Sequence, residues 1–85
     1  MSEIRLYREH PETYKREILG TLTEGQLDFL MENLEEEFDE DEEYYLNSDT
    51  IDYLRDQGAD NSLLAMLQKA VAGTQDGVDI VYVVE

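Results

Sequence analysis

The stretch "MENLEEEFDEDEEYYLNSD", residues 31–49, carries eight carboxylates in the nine positions from Glu35 to Glu43. Carboxylates at that density can ligate a hard cation, move protons, or present charge to a partner. Spacing separates the three. Asp39, Asp41 and Glu43 alternate like the first ligands of an EF-hand loop, but the sixth position, which needs glycine, is Tyr44, and the twelfth, which needs a bidentate glutamate, is Thr50. The pattern fits diffuse attraction of divalent cations better than a cage, so no metal ligand is assigned. General acid–base work requires two carboxyls in a pocket that separates their pKa values. Carboxylates are so common here that their presence singles out no pair, and no catalytic residue is assigned.

Other chemistry-bearing residues are sparse. His10 is the only histidine. It precedes Pro11 in a polar turn with no Ser or Cys nucleophile beside it, and reads as a spectator. Gly20, Gly25, Gly58, Gly73 and Gly77 are scattered as turns and caps rather than gathered into a phosphate-binding loop. No cysteine is present, which excludes disulfides, thiolate nucleophiles and zinc–thiolate sites. No cofactor is implied.

Charge to present is what remains. The chain has a formal net charge of −16, and residues 21–60 hold fifteen acids against one base, Arg55. Residues 1–20 balance four acids with four bases. Such a field steers cationic proteins and can imitate a phosphate array. The candidate partner-binding residues are therefore Glu36, Asp39, Glu40, Asp41, Glu42, Glu43, Tyr44 and Tyr45. The tyrosines are included because tyrosine is a favoured interface anchor. Core packing beneath the following helix is the competing reading for them, and one tyrosine can do each job, since neighbours in extended chain face opposite sides. Direct binding of nucleic acid needs Lys/Arg patches that this chain lacks, and docking to an anionic membrane is disfavoured for the same reason. "MSEIRLYREH" has no apolar core of a signal peptide, and no apolar run approaches the roughly 20 residues that span a bilayer, so the expected location is the cytoplasm.

The elements that must position these residues follow from periodicity. With 85 residues and 41% hydrophobic content, one small domain covering 1–85 is expected. "EIRLYR" and "TYKREILG" alternate, and predict a hairpin of residues 3–8 and 14–20 around the turn "HPET". Thr23 with Gln26 makes a capping box, and Leu22 with Leu27 a hydrophobic staple. Leu27, Leu30, Met31, Leu34 and Phe38 then form one helical stripe, with Phe29 off it. Carboxylates oppose the negative end of a helix, so this helix is expected to fray near Phe38 and release "DEDEE" as a mobile loop. A second helix is capped by Asn47 or Ser48, stapled by Leu46 and Ile51, and closed by Gly58. A third is capped by Asp60 or Asn61, buries Leu63, Leu64, Met66, Leu67, Ala70 and Val71, and ends at Gly73. "VDIVYVVE" is a strand apolar on both sides, which predicts a central or well-covered place. The order β-β-α-α-α-β implies an α+β fold, a small three-stranded sheet with helices packed on one face. The other face could pair with a second copy, so a monomer or a weak dimer is expected.

The segments "ILGTLTEGQLDFLMENLEEE", "EYYLNSDTIDYLRDQGAD" and "LLAMLQKAVAGTQDGVDIVY" resemble a group of short, acidic bacterial proteins. That group shares a Gly-Thr-Leu-Thr/Ser helix start, a Tyr-Tyr-capped second helix and a Gly-Ala-Asp lead into the third. The resemblance covers roughly residues 18–82. Some members carry the name galactosyldiacylglycerol synthase. A glycosyltransferase must hold a sugar nucleotide, and 85 residues supply neither the fold nor a phosphate-cradling loop for it. The resemblance implies a shared fold and contributes no catalytic residue. The function expected is non-catalytic: binding or regulating a partner protein through the acidic face. The alternatives are a nucleic-acid-mimicking inhibitor of a DNA- or RNA-binding protein, and a small enzyme or enzyme subunit.

Overall fold

The alternation of the last segment governs the architecture. In the computed structural model, which describes residues 3–9, 15–34, 38–40, 42–74 and 76–85, residues Val78–Val84 form a strand paired on both sides. The elements in chain order are β1 (Ile4–Glu9), β2 (Arg16–Leu22), α1 (Glu24–Asn33), β3 (Tyr44–Leu46), α2 (Ser48–Asp56), α3 (Asn61–Val71) and β4 (Val78–Val84). The fold is α+β, and its sheet runs β2-β1-β4-β3 with every pair antiparallel. The expected three strands become four. Tyr44–Leu46 is too short for its alternation to register, and it is a strand only because β4 offers it a ladder at Val78–Ile80. The turn residues 10–14 lie outside the described residues.

Register sorts side chains onto two faces. Ile4 and Leu6 of β1, Leu22 of β2, Leu46 of β3 and Val78, Ile80 and Tyr82 of β4 join one core with the helices. A bulge in β2 lets Leu19 join them: Gly20 pairs with Leu6 and Ile18 with Tyr7, so Leu19 is the extra residue and turns inward. Strict alternation would have kept Leu19 and Leu22 on opposite faces. Gly20 sits where α3 crosses. A Cβ there would lie 2.6 Å from Met66 Sδ, closer than van der Waals contact permits. Val81 is fully buried on the other face, opposite Tyr7, whereas Ile18 and Tyr45 of that face stay half exposed.

The helix starts are those the sequence encodes. Gln26 N–H donates to Thr23 Oγ1 at 3.0 Å, and Thr23 N–H donates to Gln26 Oε1 at 2.9 Å. Gln26 is also buried, because its amide Nε2 reaches the Asp60 carboxylate at 3.1 Å and ties the start of α1 to the cap of α3. Asn47 caps α2 and Asp60 caps α3. Arg8 closes the other end of α3, donating to Ala70 O at 3.2 Å, where a cation meets the negative end of the helix.

The end of α1 departs from expectation. The helix stops at Asn33, and Leu34 turns to extended geometry. No basic side chain supports its last turn, and the acids that follow oppose the dipole. Within the helix the buried face is also rotated from the expected stripe. Leu30, Leu34 and Phe38 are buried and Leu27 is partly so, but Met31 is exposed and Phe29 packs on the core instead.

Candidate functional site

Phe38 determines where the acidic segment goes. It is 3% exposed, and its ring stands edge-on to Tyr82 (centroids 4.7 Å apart) and to Tyr44 (5.8 Å). Glu40 lies along the β4 edge beyond β3. Glu42 N–H donates to Asp39 O at 3.2 Å, and Val84 N–H donates to Glu40 Oε2 at 3.2 Å. The Glu40 carboxylate thus satisfies a strand donor that β3 is too short to reach. Asp39, Glu40, Glu42 and Glu43 are exposed at the surface. The phenol of Tyr82 loses its proton less readily than usual, first because it is buried and then because Asp39, Glu40 and Glu42 lie near it. Among the described residues of the expected loose loop, Glu40 is tied to β4 and Glu42 to Asp39. Glu36 and Asp41, the remaining predicted acids, lie outside the described residues.

The tyrosine pair divides as neighbours in a strand must. Tyr44, opposite Ile80, packs against the core, and Tyr45, opposite Asp79, points to the other face, where its hydroxyl donates to Asp76 O at 2.7 Å. Close approach of the chain makes this possible. A Cβ on Gly77 would lie 2.5 Å from Leu46 O and 2.8 Å from the Tyr45 hydroxyl.

Two constellations escape sequence reading. The first is a carboxyl pair. Glu9 of β1 and Tyr45 of β3 flank Asp79 of β4 in register, and Glu43, two residues before Tyr45, interacts with Glu9 diagonally across β4. A hydrogen bond with Glu9 raises the Glu43 pKa most, the Glu9 charge adds to it, and burial and Asp79 contribute further, against the opposing pull of Arg16. Glu9 itself is buried, with Arg16 Nε 3.5 Å from its Oε2. The signal was absent locally, because the partners lie on non-adjacent strands far apart in the chain.

The second is a concavity of about 320 Å³ between the end of α1, β3 and α2, lined by Asn33, Leu34, Tyr44, Asn47, Asp49, Thr50 and Tyr53. Only Tyr44 among these was a predicted site residue. Asp49 is the one carboxylate among its described lining residues, and Tyr53 is half exposed. Among the described residues no group of three or more His, Cys, Asp or Glu side chains is placed to hold a metal ion. No helix among them is long and apolar enough to cross a membrane. Comparison with protein-family models, with curated proteins and with solved structures gives no match.

Proposed function

We propose that this protein is a non-catalytic binder of a basic partner protein, engaged through the carboxylates of Asp39, Glu40, Glu42 and Glu43. The anchoring of the acidic segment carries this reading: Phe38 is buried between Tyr44 and Tyr82, and Glu40 accepts from Val84 N–H. A charge run joined to the fold in this way sits at a defined position on the surface. Helix α2 continues the same sign with Asp49, Asp52 and Asp56, and its one base, Arg55, pairs with Asp52 at 2.9 Å. Exposed carboxylates of this kind set encounter rate and partner choice more than they set affinity. The test is affinity capture from the native cell with wild type and with a variant carrying Asn or Gln at residues 39–43. Association of the identified partner is then timed at low and physiological salt. The variant is expected to associate more slowly and with a shallower salt dependence. Equal association rates would refute the reading.

The same anchoring favours a second reading, a nucleic-acid mimic that occupies a DNA- or RNA-binding protein. Imitation of a phosphate array needs carboxylates held by folded backbone, which a loose tail does not provide. In that case the captured partner's own nucleic acid competes with this chain for one surface, and a displacement assay with labelled duplex separates the two readings.

A further inference from the structure

We infer that the concavity between α1, β3 and α2 is a receptor for one arginine side chain of the basic partner, an inference that rests on reading the acidic face as a partner-binding surface. Its volume of about 320 Å³ lies at the small end of ligand pockets, and suits a single side chain better than a cofactor. The chemistry of its lining selects the ligand. Asn33 donates one of its two amide N–H groups to Phe29 O at 2.8 Å, and its carbonyl oxygen can accept. Thr50 spends its hydroxyl proton on Asn47 Oδ1 at 3.0 Å, which leaves that oxygen as an acceptor too. Asp49 adds an exposed carboxylate. The last turn of α1, which ends here at Asn33, presents the negative end of a helix with no basic side chain to offset it. The donors among the described lining side chains are the amides of Asn33 and Asn47 and the tyrosine hydroxyls, all uncharged, and the Asn47 Oδ1 is taken up by the cap of α2.

A site whose charged group is a carboxylate, set beside acceptor oxygens and the negative end of a helix, suits a cationic ligand that donates. Guanidinium has five N–H donors and no acceptor, and its planar face stacks on aromatic rings. Tyr44 and Tyr53 supply two such rings, and Tyr53 is exposed enough to meet an incoming side chain. Ammonium satisfies the charge but not the planar geometry, so arginine is distinguished from lysine. The acids at 39–43 draw the partner in, and the pocket fixes one of its residues.

Titration calorimetry at 0.15 M NaCl tests this with three synthetic heptapeptides that alternate glycine with arginine, lysine or citrulline. The arginine peptide is expected to bind more tightly than the lysine peptide, and the citrulline peptide not to bind. Tyr53→Ala is expected to weaken the arginine peptide by about tenfold, within the range of a partly desolvated cation–π contact. Tyr53→Phe, which keeps the ring, should retain most of the affinity. Asp49→Asn should weaken binding severalfold, and amide spectra should show the arginine peptide shifting Asn33 and Thr50. Tyr53 lies outside the core, so its variants should melt like wild type. Equal affinity for arginine and lysine peptides, or undiminished binding to Tyr53→Ala, would overturn the pocket. If the residue 39–43 variant still lost affinity, the acidic-face reading would survive that result. No binding of any peptide to wild type would also overturn the pocket, leaving the acidic face to the capture experiment.

Discussion

Phe38→Ala tests the anchor on which the placement of the acidic segment depends. The ring is 3% exposed and meets Tyr82 and Tyr44 edge-on, so its removal deletes a full aromatic side chain from the core. Truncation of a buried phenylalanine costs about 3–5 kcal/mol, which includes the cavity left behind. One term acts in the opposite direction. Release of the segment separates Asp39, Glu40 and Glu42 from the sheet edge and relieves their repulsion. Two unit charges about 7 Å apart in water repel by roughly 0.6 kcal/mol, and salt screens that further. A few such pairs return about 1 kcal/mol, so the packing loss wins. The net cost, about 2–4 kcal/mol, is a large share of the roughly 4–13 kcal/mol expected for a domain of this length. Urea denaturation read by circular dichroism measures it. Performed at 0.1 and 1 M NaCl, the same experiment reports on the charges. Salt should stabilise wild type by screening the gathered acids, and should stabilise Phe38→Ala less. A midpoint within experimental error of wild type, or an unchanged salt response, would refute the anchor.

Three further outcomes are expected. Interaction with Glu9 raises the Glu43 pKa, so Glu43 contributes stability that is fully present below the ordinary glutamate range and is lost as pH rises through the raised value; Glu43→Gln should flatten that part of the stability–pH curve, and an identical curve in thermal melts would disprove the interaction. Gly77→Ala would set a Cβ 2.5 Å from Leu46 O, a backbone atom with little room to move, so β3 should be pushed off β4 at a cost of more than about 1 kcal/mol; urea denaturation checks the cost, and a neutral substitution would show that the approach is not tight. Backbone amides of Ile80–Val83 should be among the slowest to exchange, because β4 is covered by β1 along its length and Ile80, Val81 and Tyr82 are buried; exchange as fast as that of Glu42 and Glu43 would contradict the sheet order.

Local chemistry was enough to specify much of this protein from its sequence. Thr23 with Gln26, Asn47 and Asp60 are helix caps because each needs only the backbone N–H groups two or three residues ahead, and the chain supplies those wherever it folds. The β1–β2 hairpin and the central place of β4 follow from alternation and from the apolar character of both β4 faces. The acidity of residues 21–60 is likewise a property of the chain alone. What only the tertiary structure decided involves partners distant in sequence. Tyr44–Leu46 is a strand because β4 lies beside it, and Leu19 is inward because the Leu6–Tyr7 pairing forces a bulge. Met31, inside α1, is exposed because the helix turns Gln26, Phe29 and Leu30 toward the core instead. The candidate sites belong to this second class. Glu9 meets Glu43 across β4, Phe38 carries the acids to the Val84 edge, and the pocket draws Asn33 from α1, Tyr44 from β3 and Tyr53 from α2. Each depends on packing between elements, and packing is settled by the shape of the whole core, which no window of neighbouring residues contains.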